Sequence, residues 1–287
     1  MKGIILAGGL GTRLFPITKA ISKQLLPVYD KPMIYYPISI LFQAKIKEIL
    51  IISTSKHIDR YKSLLGNGKR FGVSIEYEVQ KEPNGIAEAL VIGENFIQND
   101  SVCLILGDNV FYYPDMPAFL QEAESKCDGS VVFTYNVENP SDFGIIELDE
   151  ANNIVSIEEK PAKPKSHLAI PGLYFFDNAA SGIAQKISLS PRGEKEITSV
   201  LREYLNRKRL VAIELKETKW FDTGTPKGLL EASRFISEMQ HKNKSILACI
   251  EEIAWRNGWI DDDTLTGLKE DDKNSEYGKY ILSLTNT

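Results

Sequence analysis

Two aspartates stand where apolar runs stop: Asp108 in "VCLILGDN" (Val102–Asn109) and Asp222 in "WFDTGT" (Trp220–Thr225). A carboxylate at the carboxyl edge of a buried strand faces the crevice where open α/β sheets gather their ligands. A magnesium ion on a nucleotide takes one or two carboxylates plus phosphate and water oxygens, so Asp108 is a natural first ligand. Asp222 follows a strand and precedes a helix. Taken singly, it reads equally as a second ligand and as a capping or turn residue.

Cations to meet a polyphosphate lie near the start of the chain. A strand runs into Gly8-Gly9-Leu10-Gly11-Thr12-Arg13, and Lys23 follows ten residues after the arginine. Glycines let backbone N–H groups turn inward and approach phosphates closely. Arg13 offers a planar fork for phosphate oxygens and Lys23 a point charge. The stretch has no Gly-Lys-Ser/Thr ending, so it is not a P-loop. Leu14 stands where the dinucleotide fingerprint needs its third glycine. Two further cations are candidates for a phosphate-directed role: Lys160, held at a strand end by Pro161 in "SIEEKPAKPKS", and Arg192, in a loop before a helix in "SPRGEKEIT". Gln80 ends a strand in "VQKEPNGIAEA" with Gly85 at a helix start, and its paired donor and acceptor suit the edge of a base.

The elements that carry these residues alternate. Strand-like runs at Gly3–Ala7, Glu48–Thr54, Ser74–Val79 and Ser101–Leu106 are separated by helical patterns at Met33–Ala44, His57–Leu65 and Ile86–Phe96. That is the signature of βαβ units and a doubly wound, largely parallel sheet. From Asp128 the runs Ser130–Asn136, Gly144–Leu148, Ile154–Glu158 and Ile170–Phe176 are joined by short turns, which predicts antiparallel pairing. Helices are expected at Glu196–Arg207 and Pro226–Met239, with a strand at Leu210–Leu215. Beyond His241 a polar segment with short helical pieces at Ile250–Trp255 and Tyr277–Leu284 reads as a helical appendage. The expected division is a core of residues 1–240, whose pattern changes between a part to about 127 and a part over 128–225, followed by the appendage 241–287.

Composition narrows the function classes. The 287 residues are 43% hydrophobic and 25% charged, an ordinary globular balance long enough to fold without disulfides or a structural metal. A net charge of −5 argues against a nucleic-acid backbone as partner while leaving room for a small basic pocket. Cys103, Cys127 and Cys249 form no CxxC pair and have no histidine at ligand spacing, so neither a disulfide framework nor a zinc site is indicated. Met1-Lys2 leads straight into a strand and no apolar run reaches spanning length, which makes a reducing cytoplasm the expected compartment and a membrane partner unexpected.

Taken together and in order, these stretches resemble the sugar-1-phosphate nucleotidylyltransferases, and among them the long-form glucose-1-phosphate thymidylyltransferases of dTDP-rhamnose synthesis. The resemblance rests on "KQLLPVYDKPMIYYP" (Lys23–Pro37), "LGDN" (Leu106–Asn109), "EEKP" (Glu158–Pro161), "GLYFFD" (Gly172–Asp177), "RGEKEIT" (Arg192–Thr198) and "WFDTGT", with "EEIAWR" and "YGKYI" in the appendage. It implies a Rossmann-like nucleotide-diphospho-sugar transferase fold: an α/β, mixed, mostly parallel sheet flanked by helices, with a small antiparallel sugar-binding part. It also implies thymidylyl transfer from dTTP to glucose-1-phosphate with Mg²⁺, the part to about 127 binding the nucleotide and the part over 128–225 the sugar phosphate. By the same resemblance Leu6, Gly8, Gly9, Gly11, Thr12, Arg13, Gln80, Pro83, Gly85, Gly107 and Asp108 bind the nucleotide, and Asn109, Gly144, Glu159, Lys160, Tyr174, Arg192 and Trp220 bind the sugar phosphate. Arg13, Lys23, Asp108, Lys160 and Asp222 carry the catalysis, with Asp108 and Asp222 on the metal. The family's long form is a homotetramer with an allosteric nucleotide site, to which Glu252 and Arg256 correspond. Close relatives have Tyr, Gln and Thr where this chain has Phe143, Glu88 and Pro171, so Phe143 and Pro171 each remove a hydroxyl beside the expected sugar site.

The attacking sugar phosphate is already anionic near neutrality, so neither a general base nor a covalent nucleophile is required, and His57, His167 and His241 need no role. Alignment of two mutually repelling phosphates and compensation of charge on the leaving group are what the reaction needs. Two other readings are open: a uridylyltransferase making UDP-glucose, and a non-catalytic nucleotide-sugar sensor that kept the fold. The pocket around Gln80 and Gly85 discriminates the first. Retention of Arg13, Lys23, Asp108, Lys160 and Asp222 weighs against the second.

Overall fold

The computed structural model describes residues 1–268 and 274–285. Its strands are β1 (Lys2–Leu6), β2 (Pro27–Val28), β3 (Lys31–Pro32), β4 (Glu48–Ser53), β5 (Ser74–Val79), β6 (Val102–Leu106) and β7 (Asn109–Tyr112), then β8 (Ser130–Asn136), β9 (Gly144–Leu148), β10 (Ile154–Glu159), β11 (Leu168–Ala169), β12 (Leu173–Phe176), β13 (Leu210–Glu214) and β14 (Lys219–Asp222). Ten of them form one mixed sheet in the order β10-β9-β11-β8-β12-β6-β1-β4-β5, with β13 paired to β8. β1 runs parallel to both β4 and β6, with Ile4 opposite Leu50 on one side and Leu104 on the other. All three side chains are buried, as a parallel sheet covered on both faces requires. Ile4 and Ile5 point into the two separate cores on those faces.

The chain leaves β1 toward β4 and β5 and returns to β6 on β1's other side. The strand order therefore reverses between β1 and β6, which opens a crevice beyond their carboxyl ends. The glycine turn follows β1 and Gly107-Asp108 follows β6, so both reach that crevice by connectivity alone. The antiparallel part is continuous with the parallel part, because β12 pairs with both β6 and β8.

The helix Tyr35–Gln43 is buried from Tyr35 through Phe42 and packs against β1, β7 and the appendage helix Ile250–Arg256. The appendage adds Asp262–Gly267 and Glu276–Leu284. Among the described residues no helix is long and apolar enough to cross a membrane.

Three elements differ from expectation. The helix read over Ile86–Phe96 is two short ones, Glu88–Ile92 and Glu94–Ile97, that meet at Gly93, where a Cβ would lie 2.6 Å from Ile4 Cδ1. The run Ile170–Phe176 breaks at Pro171-Gly172: proline has no N–H for a ladder, and a Cβ on Gly172 would lie 2.5 Å from Leu106 Cγ. The helix from Pro226 continues past Met239 to Asn243, started by Thr225, whose hydroxyl accepts from Gly228 N at 3.1 Å. Helices at Met116–Ser125 and Ala180–Lys186 were not expected.

Candidate active site

At the end of β6, Gly107 N donates to Leu6 O at 2.9 Å, and a Cβ there would lie 3.1 Å from the same oxygen. Glycine thus lets β6 and the glycine-turn strand close together just before Asp108. The chain then enters β7, which pairs antiparallel with β14 so that Asn109 stands opposite Asp222. Thr223 fastens the two connections by donating to Asp108 O from its backbone N at 3.1 Å and its hydroxyl at 2.6 Å. This small ladder is what brings the two distant aspartates to one place.

Each carboxylate has a cation. Lys23 Nζ donates to Asp108 Oδ2, and Asn109 Nδ2 donates to Oδ1 at 3.1 Å. Arg13 lies 3.6 Å from Asp222 Oδ2, and Gly224 N donates to Oδ1 at 2.9 Å, so Asp222 is also the turn residue its position allowed. Asn109 is buried, with Oδ1 accepting from Trp220 Nε1 at 2.6 Å and Gly172 N at 3.0 Å. Burial works to raise the Asp108 pKa, but the Lys23 ammonium outweighs it and holds the carboxyl below its ordinary value. Asp222 is displaced upward by burial and by the charge of Asp108, against which Arg13 only partly compensates. A pair of oxygen donors that repel each other in this way fits a hard divalent cation shared with phosphate oxygens. Among the described residues no group of three or more His, Cys, Asp or Glu side chains has metal-holding geometry.

Two cavities meet at Asp108. One, of about 220 Å³, is lined by Leu6, Gly8, Gly9, Gln80, Pro83 and Gly85, all expected nucleotide residues, and by Gln24. The other, of about 200 Å³, is lined by Asn109, Gly144, Glu159, Lys160, Tyr174, Arg192 and Trp220, the whole expected sugar-phosphate set, together with Arg13 and Asp222. Gly11 and Thr12 line neither cavity; Gly11 adopts a left-handed turn and its carbonyl accepts from Thr18 Oγ1 at 2.7 Å. Arg13 lines the second of these cavities, beside Asp222. Gly107 and Lys23 line neither cavity; Gly107 N donates to Leu6 O, and Lys23 Nζ donates to Asp108.

In the second cavity, Glu159 accepts from Thr198 Oγ1 at 3.1 Å and Arg192 at 3.4 Å. Burial, and then the neighbouring Glu196 charge, push the Glu159 pKa up despite those donors. Arg192 is bracketed by Glu159, Glu194 and Glu196 at 3.2–3.6 Å. Lys160 is exposed just past β10, at a left-handed φ of 41°, with its N–H donated to Phe143 O at 3.0 Å. The Phe143 ring stands edge-on to Trp220 at 5.3 Å, so the position that lacks a hydroxyl packs in the wall of the second cavity.

Sequence reasoning did not single out Gln24 or Thr198 as site residues. Gln24 is fixed by Ser22 and Tyr61 hydroxyls at 2.9 and 3.2 Å, partners that only the fold assembles. None of the three histidines lines either cavity. Glu252 and Arg256 pair at 2.7 Å in another cavity, of about 270 Å³, on the appendage.

The family described as Nucleotidyl transferase matches residues 2–239. The chain is 50% identical over 285 residues to the glucose-1-phosphate thymidylyltransferase of Neisseria meningitidis serogroup A, covering 99% of both chains. Among solved structures it is similar to a Bacillus anthracis protein provisionally assigned as a glucose-1-phosphate thymidylyltransferase and bound to sucrose, with 41% identity, a TM-score of 0.76 and coverage of 82% and 94%. It is also similar to a UDP-glucose pyrophosphorylase holding UDP-glucose, at 27% identity, a TM-score of 0.74 and coverage of 83% and 98%.

Proposed function

The chain belongs to the nucleotidyl transferase family, and from that premise we propose that it joins dTTP and glucose-1-phosphate to give dTDP-glucose and pyrophosphate. The observation that carries this reading is the meeting of two cavities at Asp108, one lined by the glycine turn and Gln80, the other by Glu159, Lys160 and Arg192. A nucleotide in the first and a sugar phosphate in the second would bring the α-phosphorus next to the attacking oxygen. The phosphate oxygen of the sugar forms the new P–O bond as the bond to pyrophosphate breaks on the far side, so no proton has to be removed.

The protein's part is charge and alignment. Lys160 and Arg192 hold the incoming phosphate. Arg13 and Lys23 stabilise the pyrophosphate that leaves. Asp108 and Asp222 would hold Mg²⁺, which supplies Lewis-acid compensation of phosphate charge when bound. The relative named for thymidylyl transfer is 50% identical and the UDP-glucose structure 27% identical, which favours dTTP over UTP. The same reading makes the chain a homotetramer in the cytoplasm, with Glu252 and Arg256 at a regulatory nucleotide site on the appendage.

Pyrophosphate release with Mg²⁺, measured for dTTP, UTP, dCTP, GTP and ATP against several sugar-1-phosphates, tests the proposal. The expected result is release that requires glucose-1-phosphate and is fastest in kcat/KM with dTTP. A preference for UTP would transfer the chain to uridylyl chemistry. No release with any pair would leave a sensor.

A further inference from the structure

Resting on the nucleotide reading of the cavity beside the glycine turn, we infer that Glu88 is a positioning residue that locks the Gln80 amide with its oxygen toward the base, and so selects pyrimidines carrying an N3–H. Gln80 is buried at the end of β5, held by its backbone N–H, which donates to Ser53 O at 2.8 Å. Its side-chain nitrogen donates to Glu88 Oε2 at 2.7 Å and to Gly85 O at 3.3 Å. Glu88 is itself fixed by Asn84 Nδ2, which donates to Oε1 at 2.8 Å. The Gln80 Oε1 consequently lies against Gly8 in the wall of the cavity; a Cβ on Gly8 would come within 2.6 Å of it.

The identity of residue 88 matters because a glutamine side chain has two nearly isosteric orientations, exchanging donor for acceptor. An ionised carboxylate only accepts, so it tolerates the Gln80 nitrogen and repels the oxygen. A neutral amide at position 88 accepts or donates and tolerates both. With the acceptor fixed toward the ligand, thymine and uracil donate N3–H to it, whereas cytosine presents a bare N3 and meets acceptor with acceptor. Leaving polar groups unpaired in this way is how a site rejects a near-isostere. Gly85 O remains a second acceptor on the Gln80 nitrogen, so removing the carboxylate weakens the lock and does not abolish it.

The test is Glu88→Gln, which conserves volume at a half-buried position. Dissociation constants for dTTP and dCTP are measured by calorimetry on wild type and variant, and kcat/KM for both by pyrophosphate release. The expected result is that the dTTP-to-dCTP ratio falls about tenfold in the variant, mainly because dCTP binds more tightly and its KM drops. A ratio unchanged within twofold overturns the inference, and so does an equal weakening of both nucleotides, which is what a purely structural Glu88 would give. Failure of wild type to release pyrophosphate from dTTP would instead overturn the transferase reading, and the binding ratio would still decide the role of Glu88.

Discussion

Glu159 shows how much of this site's behaviour is set by one side chain's surroundings. Its carboxyl lines the cavity it shares with Lys160 and Arg192, and burial together with Glu196 raises its pKa although Thr198, Lys160 and Arg192 oppose the rise. A carboxyl whose folded pKa is raised takes its proton on acidification earlier than the ordinary glutamate value of about 4.3. The folded state then binds that proton more tightly than the unfolded chain, so the group's contribution to stability is present at low pH and lost as pH rises through the raised value. Binding has the opposite sign. On the proposed reading ionised Glu159 accepts from sugar hydroxyls, and the protonated acid loses the charge-assisted bond, so KM for the sugar phosphate is expected to climb as pH falls. The Glu159→Gln variant separates this titration from that of the substrate phosphate. Near neutrality it should lose about tenfold or more in kcat/KM, the worth of a hydrogen bond to a charged group. That deficit should shrink on acidification, beginning above the usual glutamate range. A wild-type-to-variant ratio that stays constant across the acid limb would remove Glu159 from sugar binding.

At the scale of elements, the two-stranded ladder of β7 and β14 decides whether there is a site at all, and Asn109 ties it to the main sheet. Its Oδ1 takes the Trp220 Nε1 proton from β14 and the Gly172 N–H from the turn before β12. Asn109→Ala strands two buried donors and removes a donor from Asp108. The expected loss is about 2–6 kcal/mol of unfolding free energy at roughly 1–3 kcal/mol per stranded group, read by urea denaturation. A loss below about 1 kcal/mol would mean that these bonds are replaced by water. The ladder also marks where the sequence stopped being informative. The long apolar strands and the helix around Ile34–Phe42 announced themselves by period, and Asp108 and Asp222 were each visible at a strand end. Their meeting was not visible, because "NVFY" and "KWFD" are four-residue strands with no periodic signal, paired across more than a hundred residues. Gly93 and Gly172 broke elements for reasons that lie in Ile4 and Leu106, neighbours in space alone. Gln24 was silent for the same reason, and Glu88 was visible only as a departure from its relatives: their roles consist of partners the fold supplies.

On the scale of the whole molecule, the question is what fastens the appendage to the core far from the crevice. Its contacts are dense and specific. Trp259 packs edge-on against Phe42 at 5.3 Å, and Lys47 Nζ lies 5.1 Å from the centre of its ring. Glu251 is buried and accepts from the Tyr277 hydroxyl at 2.6 Å, while Lys31, from β3, lies over the Tyr277 ring at 5.8 Å. The tightest approach is at Gly72, which adopts a φ of 69° and lies so close to the Trp259 backbone that a Cβ would come within 2.4 Å of its carbonyl oxygen. A methyl group there costs twice: about 1–2 kcal/mol for the left-handed backbone, and a clash with main chain that no rotamer change relieves. Gly72→Ala should therefore destabilise the protein by about 2–4 kcal/mol, lowering Tm by roughly 4–16 °C for a chain of this size. Gly72 lines neither of the two cavities that meet at Asp108. The variant's kcat with dTTP and glucose-1-phosphate, measured well below its Tm, should accordingly change less than its stability does. If thermal unfolding splits into two transitions, the appendage unfolds separately once Trp259 is displaced; a single shifted transition means that core and appendage melt as one unit. An unshifted Tm would show that Trp259 does not sit on Gly72, and would undo this account of how the appendage is held.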